Sequence, residues 1–160
     1  MNNFLKFLYA CAFIALLIKV FPQTTPVAGY QTKTISADTV NYLKTSAQYS
    51  PYYNGNKKFA VYYTGMDCPH GQAFASAMNE IAANSNYQQN YNFSVTNISG
   101  NSLQKTFSSM QEAKMDGKFM DLCQQFCIVN PKTGGIYSLS TADERTAAEL
   151  TTLFNRLQNW

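Results

Sequence analysis

The sequence has few charged side chains. Asp, Glu, Lys and Arg together make up 13% of its 160 residues, which is about half of the share in an ordinary soluble domain. The formal net charge is only +3, and no basic cluster is larger than the pair Lys57-Lys58. Domains that bind nucleic acid carry a basic stripe or patch. This composition therefore argues against nucleic acid as a partner.

Residues needed for several common chemistries are also scarce. His70 is the single histidine, and the sequence has no Gly-x-Ser-x-Gly run. The sequence therefore gives no support to a serine catalytic triad. Thr133-Gly134-Gly135 follows a proline and is typical of a turn, not of a phosphate-binding loop. The residues indicate no cofactor.

The amino terminus carries a long apolar run. Phe7 to Ile18 is unbroken over twelve residues and is flanked by lysines. A run of this length is typical of a signal-peptide core, whereas a membrane-spanning helix needs about 20 residues. We expect residues 1–29 to be a signal peptide. The alternative is an uncleaved anchor in which residues 4–21 span the membrane. In both cases the remaining chain faces the periplasm or the extracytoplasmic side of the inner membrane.

After this segment the sequence divides into a polar, Tyr-rich stretch at 30–57 and a single domain at 58–160. Ser36 is predicted to cap a short helix in the first of these. In the domain, strands and helices alternate before a closing hairpin and helix. The predicted elements are a strand at 58–64, a helix from Pro69 to about Asn84, a strand at 92–98, a helix at 102–115 ended by Asp116-Gly117, a hairpin at 126–139, and a helix at 142–157 with Asp143 and Glu144 in its first turn. This order predicts an α/β three-layer sandwich with a mixed central sheet and helices on both faces.

A cysteine lies between the first strand and helix of this domain. The run Phe59 to Tyr63 does not alternate between apolar and polar residues, which indicates a strand covered on both faces. A short loop then leads to Cys68, and Pro69 suits the first turn of a helix. Helix amides and the helix dipole lower the pKa of a cysteine in such a position.

Cys68-Pro69-His70-Gly71 resembles the active-site loop of the thioredoxin-like superfamily, in the Cys-Pro-His form of its periplasmic dithiol oxidases. The resemblance covers roughly residues 58–158, including the closing hairpin and helix. Gly71 replaces the second, resolving cysteine of the family. The family's cis-proline is also missing, because Gln124-Gln125-Phe126 occupies that region. We expect a trans peptide bond there and a substrate groove reshaped around Pro69, Gly71 and Gln124.

The resemblance implies a catalytic set of Cys68 as nucleophile, His70 as a source of positive potential when protonated, and Cys123 as a replacement resolving thiol. The family position of Cys123 faces the active-site loop, so Cys68 and Cys123 are expected within disulfide reach. The alternative is that Cys123 is only a small, half-buried residue. A Cys123–Cys127 bond is disfavoured, because extended residues four apart lie roughly 13 Å from each other. Cys127 is expected in the core.

Two functions remain open. The first is thiol–disulfide exchange with protein thiols or disulfides of the cell envelope. The second is a thioredoxin-like domain that has lost catalysis and serves as an interaction component of an envelope, secretion or conjugation assembly. A soft-metal site formed by Met66, Cys68, His70 and Cys123 is a weaker alternative, since three or four scattered ligands do not define a metal site. No metal is therefore predicted.

Overall fold

The computed structural model describes residues 31–53, 55–64, 69–97, 107–139 and 145–160. They form an α/β domain with a five-stranded mixed sheet. The elements are β1 (Gln31–Thr34), α1 (Ala37–Thr45), β2 (Lys58–Thr64), α2 (Pro69–Ala83), α3 (Ser85–Gln88), β3 (Tyr91–Asn97), α4 (Met110–Cys123), β4 (Phe126–Asn130), β5 (Gly135–Leu139) and α5 (Ala147–Leu157). The predicted targeting segment 1–29 lies outside the described residues. Within the described ranges, no helix is both long and apolar enough to cross a membrane.

The strands are ordered β1-β5-β4-β2-β3 in the sheet. Only β2 and β3 are parallel, and the other neighbouring pairs are antiparallel. Parallel strands need a crossover connection, and α2 with α3 supplies it between β2 and β3. The hairpin of β4 and β5 then adds antiparallel strands on the other side of β2. The predicted mixed sheet and closing hairpin are confirmed.

Helices cover both faces of the sheet, and β2 contributes to both cores. Ala60 and Tyr62 point to one face, where they pack with side chains of α2 and α5. Phe59, Val61 and Tyr63 point to the other face, against α1 and α4. This alternation follows from the strand geometry, in which successive side chains project in opposite directions. All five residues are buried, as the continuous apolar run predicts.

Side-chain caps begin four of the helices, with Ser36, Asn84, Ser109 and Thr146 as the capping residues. The hydroxyl of Ser36 accepts the Thr39 N–H at the start of α1, as predicted. Thr146 and Glu149 form a reciprocal capping box at the start of α5. Helix α5 begins at Ala147, and its first-turn acid is Glu149. The predicted first-turn acids Asp143 and Glu144 lie outside the described residues.

The fourth helix differs from its prediction. Ser109 caps α4, and the helix runs through Asp116 and Gly117 to Cys123 instead of ending at Asp116-Gly117. Glycine inside a helix costs about 1 kcal/mol relative to alanine. Burial of Phe119 and Cys123 beyond that point offsets this cost. The first part of the predicted helix, at 102–106, lies outside the described residues.

Candidate functional site

The carboxyl end of β2 and the start of α2 form the region singled out by the sequence. Helix α2 begins at Pro69, where the missing amide hydrogen costs no helical hydrogen bond. Phe74, Met78 and Ile81 bury one side of the helix against the sheet, so its first turn is held at this edge. Pro69 and His70 are exposed, whereas Gly71 is buried. The residue before Pro69 is Cys68, which lies outside the described residues together with 65–67.

The segment before β4 lies at the same edge of the sheet. The Tyr63 N–H donates to the Gln125 carbonyl oxygen at 3.2 Å, which joins this segment to the end of β2. Gln124 has a φ of 58° and ends helix α4, with its N–H donating to the Met120 carbonyl oxygen at 2.7 Å. The peptide bonds here are trans, as expected from the absence of proline. Gln125 therefore lies beside the end of β2, whereas Gln124 forms a β-bridge with Leu139 at the end of β5.

Cys123 and Cys127 form a disulfide bond, with an Sγ–Sγ distance of 2.03 Å and a Cα–Cα distance of 4.9 Å. The prediction that disfavoured this pair is wrong. It assumed an extended chain, but Cys123 is the last residue of α4 and the chain reverses at Gln124 before β4 begins. Both cysteines are fully buried, so Cys123 is also not the half-buried residue of the alternative prediction. Because its sulfur is bonded to Cys127, Cys123 cannot act as the resolving thiol for Cys68 in this oxidised form.

A buried polar cluster lies on the same face of the sheet as the disulfide. The Asp116 carboxylate is 4% exposed, and its Oδ1 atom accepts hydrogen bonds from the hydroxyls of Tyr42 at 2.9 Å and Tyr49 at 3.2 Å. Burial raises the pKa of both tyrosines, and the nearby Asp116 charge raises it further. The Tyr63 hydroxyl donates to Met120 Sδ, and burial raises the pKa of Tyr63 to about 12.

This cluster is not predicted by the sequence, because the predicted helix ends at Asp116-Gly117. A signal was present, since Asp116, Phe119 and Cys123 lie at i, i+3 and i+7 spacing. That spacing places them on one face of a continuous helix. With Phe119 and Cys123 in the core, an aspartate on the same face needs buried hydrogen-bond donors.

A cleft of about 390 Å³ lies between α1 and α4, next to this cluster, and Tyr42 belongs to both. Its lining includes Asp38, Tyr42, Glu112 and Met115. Glu112 accepts hydrogen bonds from the backbone N–H and the hydroxyl of Ser108, so its carboxylate helps to cap the helix. The cleft has no cysteine or histidine in its lining and does not include any of the predicted catalytic residues.

The described residues give no support to a metal site. Across these ranges, no group of three or more His, Cys, Asp or Glu side chains is placed to hold a metal ion. Of the soft-metal alternative, Met66 and Cys68 lie outside the described residues. Cys123 is bonded to Cys127 and is not a thiolate ligand in this form.

No protein-family model, curated protein or solved structure matches the chain. Its function must therefore be inferred from its own residues and their arrangement.

Proposed function

We propose that this chain is an exported thioredoxin-like protein in which Cys68 carries out thiol–disulfide exchange in the cell envelope. The observation that carries this proposal is that helix α2 begins at Pro69, directly after Cys68, and follows the buried strand β2. The family has its reactive cysteine between such a strand and such a helix. The hairpin of β4 and β5, followed by α5, supports the same assignment, because it resembles the family's closing elements.

The start of α2 favours the reactive form of Cys68. The first backbone N–H groups of a helix have no partner within the helix, and they stabilise a negative charge next to them. Deprotonated Cys68 would attack one sulfur of a partner disulfide. A new bond then joins Cys68 to that sulfur, the partner's S–S bond breaks, and the second partner sulfur leaves as a thiolate.

No thiol of the described residues can release the partner, so we expect release to require an external thiol. Position 71 is a glycine, and the Cys123 sulfur is bonded to Cys127. An external thiolate would attack the mixed disulfide, form a bond with the partner's sulfur and return Cys68 as a thiolate. This requirement makes the mixed disulfide long-lived when small thiols are absent.

The test is the pH dependence of Cys68 alkylation in the full chain, followed by mass spectrometry of the peptide that contains it. An activated thiol is alkylated well below its ordinary pKa of about 8.5, and it forms a mixed disulfide with oxidised glutathione. His70→Ala should move the alkylation profile to higher pH, because the positive potential is lost. Cys68→Ser is the control and should abolish the adduct. A midpoint near 8.5 with no mixed disulfide would refute thiol chemistry at this site.

A second candidate is an interaction component of an envelope, secretion or conjugation assembly without catalysis. It is favoured by one observation, since the Cys123–Cys127 bond leaves no resolving thiol among the described residues. The full chain and its Cys68→Ser variant would then copurify the same partners from envelope extracts. Partners lost from the Cys68→Ser variant, and released from the original chain by reductant, would exclude this candidate.

Export through residues 1–29 is part of both candidates. The mass of the chain recovered from the envelope separates a cleaved signal peptide, with Tyr30 as the first residue, from an anchor that retains residues 4–21. A chain recovered only from the cytoplasm would exclude both.

A further inference from the structure

A cleft of about 250 Å³ lies at the end of the sheet opposite Pro69. Lys57 and Lys58 line it at the start of β2, and Lys132 lines it from the turn between β4 and β5. Because β4 runs antiparallel to β2, this turn lies beside the start of β2. We call this site the lysine cleft. It shares no residue with the proposed thiol site.

The side chains that line the lysine cleft include three lysines and no Asp or Glu. Lys58 and Lys132 form no ion pair with any carboxylate in the described part of the chain. Burial lowers the pKa of Lys58, and the nearby charge of Lys132 lowers it further. An anion in this cleft would relieve the repulsion between these two ammonium groups.

Contacts with the rest of the domain hold two of the lysines in place. Lys58 Nζ donates to the Gln158 carbonyl oxygen at 2.8 Å and lies 5.6 Å from the centroid of the Tyr91 ring. Lys57 Nζ donates to the Gln88 carbonyl oxygen at 2.7 Å. An ammonium group has three N–H donors, so the single hydrogen bond from Lys58 to Gln158 leaves donor capacity for a ligand.

The turn that carries Lys132 is also braced. Asn130 Oδ1 accepts the Lys132 N–H at 3.0 Å, and Asn130 Nδ2 donates to the Trp160 backbone oxygen at 2.9 Å. Gln89 and Asn90 are among the neutral amide residues of the lining. The cleft thus combines lysines from the start of β2 and from the turn between β4 and β5 with neutral amide side chains.

We propose that the lysine cleft binds an oxyanion of the phosphate type, either free or as the headgroup of a phospholipid. Lysine is a common ligand for phosphate, to which it presents a compact positive charge. The two positive charges of Lys58 and Lys132 would match the one or two negative charges of a phosphate group. Neutral amides add hydrogen bonds without adding a competing negative charge.

The test is titration of the isotope-labelled full chain with inorganic phosphate, followed by backbone amide chemical shifts. Sodium chloride keeps the ionic strength constant. The amides of residues 56–58, 89–90 and 132 should shift and saturate. Lys58→Gln/Lys132→Gln should weaken the apparent affinity at least tenfold, since each charge in contact with the anion contributes roughly a factor of five even at the dielectric constant of water. Lys44→Gln/Lys118→Gln removes the same charge from exposed positions on α1 and α4 that do not line the cleft, and it should leave the affinity unchanged.

A second arm identifies the source of the phosphate group. Cosedimentation with phosphatidylglycerol vesicles, compared with phosphatidylcholine vesicles, should fall in Lys58→Gln/Lys132→Gln if a lipid headgroup is the ligand. Vesicle binding that is equal in all variants, together with a response to inorganic phosphate, identifies the free anion as the ligand.

Two results would overturn the proposal. One is an equal phosphate response in the cleft variant and in the control variant. The other is a response reproduced by chloride alone. If Lys58→Gln/Lys132→Gln does not fold, the phosphate titration of the single variant Lys132→Gln tests the proposal. The Lys132 side chain is exposed, so its replacement leaves the core intact.

Discussion

Replacement of Asp116 by alanine should destabilise the domain strongly, although the residue is far from the proposed thiol site in sequence. Two hydroxyls converge on its Oδ1 atom, that of Tyr42 at 2.9 Å and that of Tyr49 at 3.2 Å. The two tyrosines are 6% and 0% exposed, so water does not readily replace the lost acceptor. Asp116→Ala would therefore remove the carboxylate that accepts hydrogen bonds from two buried hydroxyls.

The size of the effect follows from these contacts. A buried polar group left without its partner costs about 1–3 kcal/mol, so two hydroxyls cost roughly 2–6 kcal/mol. Removal of a buried carboxylate also removes its desolvation cost, which offsets part of this loss. We expect Asp116→Ala to lower the free energy of unfolding by about 2–4 kcal/mol. Asp116→Asn keeps a carbonyl oxygen as acceptor and should lose about half as much.

Urea unfolding followed by circular dichroism measures these differences, provided that the slope with denaturant is the same for each variant. Asp121→Ala is the matched control, because Asp121 is an exposed aspartate on the same helix. Its effect should stay within about 0.5 kcal/mol. A loss below about 1 kcal/mol for Asp116→Ala, or a loss equal to that of the control, would refute the role assigned to the carboxylate.

Three other features lead to measurable predictions. The Cys123–Cys127 bond closes a loop of five residues, so Cys123→Ala/Cys127→Ala should lower the free energy of unfolding by about 2 kcal/mol. A free energy of unfolding that does not change when reductant is added to the original chain would contradict the bond. Gln124 has a φ of 58°, a conformation that glycine adopts without strain. Gln124→Gly should therefore raise the free energy of unfolding by about 1 kcal/mol, whereas Gln124→Ala, which keeps the Cβ, should not. Burial raises the pKa of Tyr62 and Tyr63 from 10.0 to about 12. The folded state therefore holds these two protons more tightly than the unfolded state does. Their contribution to the free energy of unfolding is present below pH 10 and is lost as the pH rises toward 12. Phenolate absorbance from these residues below pH 10 in the folded protein would contradict this prediction.

The sequence predicts the sheet better than it predicts the fourth helix. β2 and β4 are continuous runs of apolar residues, and Pro131 with the glycines at 134 and 135 indicates the hairpin. Such local signals predict the order of the elements and the burial of the strands. Asp116-Gly117 predicts the end of a helix, but tertiary burial of Phe119 overrides that weak local preference.

That single error accounts for the wrong cysteine pairing. When the helix ends at Asp116-Gly117, Cys123 and Cys127 lie in extended chain and are too far apart to bond. When the helix continues to Cys123, the reversal at Gln124 brings Cys127 within 4.9 Å, measured between Cα atoms. A positive φ at a glutamine is not predictable from residue type, because this conformation is rare without glycine. The lysine cleft also required the structure, since Lys132 lies 74 residues after Lys58 in the sequence.

The register of β1 determines where a molecule attached to this domain would lie. Gln31 pairs with Ser138, and Thr34 pairs with Gly135, so the chain enters the sheet at the edge where β2 ends and Pro69 begins α2. The β1 strand is three strand spacings from β2, or about 14 Å. A fusion partner or surface linker joined before Gln31 would crowd the edge of the sheet at which we propose the thiol site. One joined after Trp160 would crowd the lysine cleft, so each site is best studied with the attachment at the other terminus.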